Sequence, residues 1–164
     1  MGLQPVIRRI WAPIGDRPTA SSHRKYEWLY VYAFVRPVTG DVFWLLLPTV
    51  NAQLFQRALE EFALWADINE RKQVVLVIDN AGFHTAKKIT LPEGIHLFYL
   101  PPYSPELQPA ERLWTLVDEP VVNRWIKRID DLENIIVERC RNLMTMPEVI
   151  RGRTLFNWWP VDAN

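Results

Sequence analysis

The chain has 164 residues, of which 49% are hydrophobic and 23% charged, and its 19 Lys and Arg are balanced by 19 Asp and Glu. These values fit one globular domain with a sizeable core and exclude an intrinsically disordered chain. The zero net charge excludes a strongly basic nucleic-acid-binding protein, although a local basic patch can still give DNA affinity.

Features that the sequence lacks indicate the cellular compartment of the protein. The single cysteine, Cys140, excludes an internal disulfide and fits a reducing cytosol. No apolar run reaches the roughly 20 residues of a membrane span. Residues 1–9 lack the apolar core of a signal peptide. We therefore expect a soluble, cytoplasmic protein without membrane contact.

The first elements predicted along the chain are a β-hairpin and a helix. Residues 28–35 alternate aromatic and aliphatic side chains, which is typical of a strand covered on both faces. The turn residues 37–41 lead into a second strand at residues 42–47. Asn51 is predicted to cap an amphipathic helix over about residues 52–66.

The second half of the chain predicts two more strands followed by two helices. Residues 73–79 form a continuous β-branched run, and the strand at residues 95–100 is stopped by two prolines. Pro109 suits the first turn of a helix. Asp130 or Asp131 is predicted to cap the last helix, and residues 152–164 have no assignment. The order of elements predicts a mixed α/β fold.

Two carboxylates stand out as candidates for chemistry. Asp79 ends the apolar run 73–79, at the edge of the sheet where α/β proteins place their ligands. Glu111 follows at the start of the predicted helix. Taken singly, Asp79 is more often a cap residue and Glu111 more often a solvated first-turn glutamate. Taken together, a strand-end acid and a helix acid fit metal-dependent phosphodiester chemistry, in which carboxylates hold divalent ions.

The residues around these two acids resemble a known family. Residues 79–84 read DNAGFH and residues 103–114 read YSPELQPAERLW. They resemble the blocks D-N-A-x-x-H and Y-S-P-x-L-N-P-x-E-x-x-W of the DDE transposases, best matched by the bacterial insertion-sequence-630 branch of the mariner-like superfamily. The chain departs from the blocks in having Gln108 in place of asparagine. The resemblance extends from the N-terminal residues to about residue 145.

This resemblance implies a ribonuclease-H-like mixed sheet with flanking helices, forming a single DDE endonuclease domain over residues 1–164. It implies that Asp79 and Glu111 are catalytic and metal-binding, as the second and third acids of a site for two Mg²⁺ or Mn²⁺ ions. The implied reaction is cleavage of DNA at transposon ends and strand transfer to target DNA. His84, Lys87, Lys88 and Arg112 are further candidates for DNA contacts.

The same comparison implies that parts of the family pattern are missing. The family's first acid ends a central strand just before the segment that matches Gly2–Trp11, and neither Asp16 nor Asp41 aligns with it. The helix-turn-helix region that recognises transposon ends is also absent. We therefore expect an N-terminally truncated domain that is inactive alone, with a weak or incomplete metal site.

Loss of a central strand exposes sheet edges that invite pairing with another chain. We hypothesise that residues 2–11, or a partner protomer in a homodimer or a complementing transposase chain, fill the vacant strand position. One alternative is a non-catalytic DNA-binding or oligomerisation fragment that modulates a full-length transposase. Another is a stand-alone nuclease that recruits Glu27 or Asp118 as its third acid.

Overall fold

The strands of the protein form two separate two-stranded sheets. The computed structural model describes residues 1–4, 6–9, 11–15, 27–80 and 89–160. Within these ranges the antiparallel sheet contains β1 (Tyr30–Arg36) and β2 (Asp41–Leu47), and the parallel sheet contains β3 (Val74–Ile78) and β4 (Ile95–Tyr99). The predicted hairpin and both later strands are confirmed, with small shifts at their ends.

The helices lie mainly in the second half of the chain. The α-helices are α1 (Ala52–Trp65), α2 (Trp114–Val117), α3 (Ile129–Met144) and α4 (Pro147–Thr154). Short 3₁₀ helices span Pro105–Leu107, Pro109–Leu113 and Glu119–Val121. None of the helices in the described ranges combines the length and apolar character needed to cross a membrane.

The predicted cap of α1 is confirmed. The Asn51 side-chain oxygen accepts a hydrogen bond from the Leu54 N–H at 2.9 Å, which satisfies one of the free amides of the first turn. Phe55, Leu59 and Phe62 recur at helical spacing and are buried on one side of the helix.

Two predicted helix starts are corrected by the structure. The segment that begins at Pro109 is a 3₁₀ helix as far as Leu113 and becomes α-helical only in α2. Pro120 explains the shortness of α2, because a proline lacks an amide hydrogen and its ring clashes with the carbonyl four residues earlier. The second correction concerns α3, whose N-cap is Arg128, and neither Asp130 nor Asp131 caps it. Both aspartates lie in its first turn, where negative charge is favourable.

Helices cover both faces of the β1–β2 sheet, as the two apolar faces of the hairpin predict. One face of the sheet packs together with α2, α3 and α4 around a cluster of hydrophobic side chains that we call the central core. The fully buried side chains of the central core include Leu113, Val117, Ile136, Leu143 and Ile150. On the other face, Tyr32 and Phe34 pack towards α1 in a smaller cluster, the α1 core, whose buried members are Phe55, Leu59 and Ile78.

The hairpin turn is fixed against α4 by a glycine. Gly40 has a φ of +81°, and its N–H donates to the Arg36 carbonyl at 2.8 Å. A β-carbon at this position would lie 2.0 Å from the carbonyl oxygen of Pro147. Only glycine fits here, because the turn needs a positive φ and the α4 backbone approaches closely.

The N-terminal segment does not fill the vacant strand position, so that part of the hypothesis is wrong for its described residues. Gly2 forms an antiparallel bridge with Trp28, and Val6 forms a parallel bridge with Val122. Further along, the Arg8 N–H donates to the Asn123 side chain at 3.0 Å. The segment pairs instead with the residues just before β1 and then with the loop after Glu119–Val121.

Candidate active site

A cleft of about 940 Å³ separates β1 from β3. All seven residues of β1 and all five residues of β3 line it, and part of α1 does so as well. Within the described ranges, each of these strands pairs with one neighbour only, β1 with β2 and β3 with β4. The cleft therefore lies between β1 of one sheet and β3 of the other.

Asp79 lies at one end of this cleft, directly after β3. The Leu100 N–H donates to the Ile78 carbonyl at 2.8 Å, so the parallel ladder continues to the last residue before Asp79. One residue further on, the Asn80 side-chain amide donates to the Leu100 carbonyl at 2.7 Å. These two bonds fix the backbone on both sides of Asp79, whose side chain is exposed and borders the cleft.

Glu111 borders the same cleft from the 3₁₀ helix Pro109–Leu113. The flanking residues Ala110 and Leu113 are buried in the central core and anchor the helix. The Glu111 N–H donates to the Gln108 carbonyl at 3.1 Å, while the carboxylate side chain is exposed. Asp79 and Glu111, far apart in sequence, thus line the same cleft.

Tyr32 is a further polar group at this site, and the sequence interpretation missed it. Its hydroxyl is buried and has no hydrogen-bond partner in the described part of the chain. The same is true of Trp44 Nε1. Burial raises the pKa of Tyr32 to about 12, and the negative charge of Asp79 adds to this effect. Both causes favour the neutral phenol. Its place in the aromatic stripe of residues 28–34 indicated packing and gave no signal for a role at the cleft.

The two carboxylates suit a hard divalent cation but do not complete a two-metal site. Mg²⁺ prefers oxygen ligands, keeps several waters and is commonly bound through one or two carboxylates together with substrate phosphates. Asp79 and Glu111 supply such donors at the cleft. Among the described residues, however, no group of three or more His, Cys, Asp and Glu could hold a metal ion. The two carboxylates therefore supply part of the ligand set that a divalent ion needs.

The other predicted site residues are Arg112, His84, Lys87 and Lys88. The guanidinium carbon of Arg112 lies 4.2 Å from the ring centre of Phe156, a cation–π contact beyond the end of α4. His84, Lys87 and Lys88 lie outside the described residues. Trp159, in the tail that the sequence left unassigned, lines the cleft, and no sequence pattern indicated this.

The acids considered as replacements for the third carboxylate are not at the cleft. Asp118 forms an ion pair with Arg8, whose guanidinium also donates to the Thr115 carbonyl at 3.2 Å. Glu27 precedes β1, where its carbonyl accepts from the Leu3 N–H at 3.2 Å. Neither residue lines the cleft. This arrangement does not favour a nuclease that recruits Glu27 or Asp118.

Comparison with known proteins identifies the family. The model of the DDE superfamily endonuclease family matches residues 1–133. An uncharacterized protein of Sinorhizobium fredii, y4pE/y4sA, is 32% identical over 132 residues, which are 80% of this chain and 96% of that protein.

Solved structures of Mos1 transposase are similar in fold. In the Mos1 strand transfer complex the match has a TM-score of 0.56 at 16% identity and covers 99% of this chain and 53% of that one. In the Mos1 paired-end complex with the left transposon end, the TM-score is 0.56 at 17% identity, with 91% and 51% covered. The chain thus spans about half the length of the Mos1 chains. It belongs to the DDE superfamily endonuclease family and has the ribonuclease-H-like fold of a transposase catalytic domain.

Proposed function

We propose that this chain is the catalytic domain of a DNA transposase in which Asp79 and Glu111 are two of the metal-binding acids, and that its 164 residues alone do not cleave DNA. One observation carries the proposal. Asp79 and Glu111 border the same cleft, and the described residues contain no group of three or more His, Cys, Asp and Glu that could hold a metal ion. The site has the chemistry of a phosphodiester enzyme but lacks part of its ligand set.

The substrate we propose is DNA at transposon ends and at the target site. The Mos1 structures similar in fold are a strand transfer complex and a complex with a transposon end, which supports a DNA partner for this chain. With no net charge on the chain, DNA affinity has to come from local groups. We propose Arg112, which follows Glu111 in the sequence and contacts the Phe156 ring, as one such group, with His84, Lys87 and Lys88 as others.

The carboxylates act by holding metal. Enzymes of this superfamily use divalent metal ions, and we propose Mg²⁺ or Mn²⁺ here, which when bound supply positive charge that activates a water nucleophile and stabilises the leaving oxygen. Asp79 and Glu111 would hold and orient the ion in the cleft that both line. Because two carboxylates supply too few ligands for the pair of ions needed to stabilise both the attacking and leaving oxygens, we expect no cleavage.

A nicking assay on supercoiled plasmid tests this proposal. We expect no metal-dependent nicking by the wild-type chain with Mg²⁺ or Mn²⁺. Mn²⁺ titration followed by calorimetry should show weak binding that Asp79→Ala removes. Asp131→Ala is the matched control, because Asp131 is an exposed carboxylate on α3 away from the cleft.

Two outcomes would contradict the proposal. Nicking by the wild-type chain that is lost in Asp79→Ala and retained in Asp131→Ala would disprove inactivity. Mn²⁺ binding that is equal in the wild type and Asp79→Ala would disprove the metal-binding role of Asp79.

A second candidate function is supported by the open cleft between the two sheets. In this alternative the chain is a non-catalytic DNA-binding or oligomerisation fragment that modulates a full-length transposase. It predicts co-purification with the full-length protein and a change in its transposition rate. Absence of co-purification would remove this alternative.

A further inference from the structure

The residues that follow α4 form a turn that brings three aromatic rings together. The Trp159 N–H donates to the Phe156 carbonyl at 3.0 Å, which turns the chain back on itself. The Trp158 ring stacks on the Phe156 ring, with 5.1 Å between the ring centres and 27° between the planes. The Trp159 ring lies 5.6 Å from that of Trp158. We call Phe156, Trp158 and Trp159 the aromatic cluster.

The aromatic cluster is buried at one end and open at the other. Phe156 is 7% exposed, and α4, which precedes it, packs against the 3₁₀ helix Pro109–Leu113. Trp158, in contrast, is 55% exposed. A single exposed tryptophan is common on protein surfaces. This one differs because the stacked Phe156 ring holds it in place, so that a large, ordered ring surface is presented to solvent.

Two arginines add positive charge to the aromatic cluster. The guanidinium carbon of Arg112 lies 4.2 Å from the centre of the Phe156 ring. Arg153, in the last turn of α4, precedes Phe156 by three residues and is exposed. Among the described residues, no ion pair joins Arg112 or Arg153 to a carboxylate. An open aromatic ring together with two cations that lack a carboxylate partner there suits a ligand that is both planar and anionic.

We propose that the aromatic cluster and these two arginines bind single-stranded DNA, with an unpaired base stacked on Trp158 and the flanking phosphates contacted by Arg112 and Arg153. Bases within a duplex are already stacked on one another, so only an unpaired base offers its face to a side chain. Aromatic stacking combined with positive charge along the backbone is how proteins hold single strands with little sequence preference. An apolar protein partner would be matched by the rings alone and would leave the two cations unused.

This inference rests on the proposed DNA substrate and adds the form of DNA that the aromatic cluster takes. Trp159 lines the cleft that Asp79 and Glu111 also line, and Arg112 is the residue after Glu111. A strand bound at the aromatic cluster therefore lies at the border of the cleft that contains the two carboxylates. We expect the DNA to be unpaired where it passes this border.

Binding of a short fluorescein-labelled oligothymidine, followed by fluorescence anisotropy in EDTA, tests the proposal. Trp158→Ala should weaken binding by about 5- to 100-fold, because one base–aromatic stack is lost. Trp158→Phe should keep most of the affinity, whereas Trp158→Leu, which is apolar but has no ring, should behave like Trp158→Ala. The matched control is Trp125→Ala, at a tryptophan before α3 that is 54% exposed and lies outside the aromatic cluster. Its affinity should equal that of the wild type, and urea denaturation midpoints establish that each variant is folded.

The two arginines have a readout of their own, the dependence of affinity on salt. Arg112→Gln and Arg153→Gln should each reduce the slope of log K against log salt concentration by about 0.7, because each removes one phosphate contact with a single strand. Arg71→Gln is the control, since Arg71 is exposed in the turn before β3. Its slope should not change.

Several results would overturn the proposal. Full affinity in Trp158→Ala, or an equal loss in Trp125→Ala, would show that the strand binds elsewhere. Loss of duplex binding in Trp158→Ala as large as the loss of single-strand binding would show that the ring does not take an unpaired base. Tighter binding of an oligouridine RNA of the same length would make RNA the ligand.

Failure of this inference and failure of the proposed function are distinguishable in the same assay. Binding of DNA that does not respond to Trp158→Ala contradicts the inference alone and leaves the DNA substrate standing. Absence of binding to both single-stranded and duplex DNA contradicts both. EDTA removes divalent ions, so neither result depends on the metal-binding role of Asp79 and Glu111.

Discussion

The central core and the α1 core contain the same kinds of side chain but are closed to different degrees. The central core lies beneath the hairpin and is enclosed by α2, α3 and α4, with Leu113, Ile136 and Leu143 fully buried. The α1 core has three buried members, and its partly buried members include Leu76 and Leu97. On the same small sheet, Val75 and Phe98 are 63% and 58% exposed.

This difference shows how packing changes where two sheets do not pair with each other within the described residues. Each core is built on one face of the β1–β2 hairpin, but the α1 core also needs the β3–β4 sheet to join the hairpin. Where β1 and β3 do not pair, apolar strand residues remain at a cleft instead of in a core. Asp79 and Glu111 line that cleft, whose lining also includes the exposed apolar side chain of Val75.

The largest expected effect comes from truncating one leucine in each core, which tests whether the two cores are closed to different degrees. Leu143→Ala should lower the free energy of unfolding by about 3 kcal/mol, because it leaves a cavity in a fully enclosed core. Leu97→Ala should cost only about 1 kcal/mol, since its side chain is already partly exposed. Urea denaturation midpoints measure both. Equal losses would show that the α1 core is as closed as the central core.

An intermediate effect is expected at the end of the parallel sheet. Asn80→Ala removes the hydrogen bond to the Leu100 carbonyl and should lower the free energy of unfolding by about 1 kcal/mol. Its structural consequence should be local, with faster amide exchange at Leu100 and little change in β2. Asn69→Ala, in the exposed turn before β3, is the control for loss of an asparagine. Unchanged exchange at Leu100 would show that the bond does not fix this strand end.

How far the sequence predicts this molecule depends on the range of the interactions involved. The motifs around Asp79 and Glu111 are local, and the two carboxylates that they single out line the same cleft, while their role stays a prediction. The role of Tyr32 depends on how β1 faces β3, which no local pattern encodes. The segment after Met1 was predicted to fill the vacant strand position, but it pairs with the residues around Trp28 because these lie next to it in the hairpin layer.

Tyr32→Phe has the smallest expected effect and reports most directly on the cleft. At pH 7 the free energy of unfolding should change by less than about 0.5 kcal/mol, because the lost hydroxyl has no partner among the described residues. At high pH the two proteins should diverge. In the folded state the pKa of Tyr32 is raised from 10.0 to about 12, so the folded state keeps a proton that the unfolded state releases.

The wild type should therefore lose stability relative to Tyr32→Phe as the pH rises from about 10 to about 12. Tyrosinate absorbance measures the same titration, and Tyr103→Phe, at a fully exposed tyrosine, is the control. Asp79→Asn should lower the pKa of Tyr32 only in part, since burial is the larger cause and the charge of Asp79 the smaller. A Tyr32 pKa that is unchanged in Asp79→Asn would mean that the charge of Asp79 does not act on the hydroxyl of Tyr32.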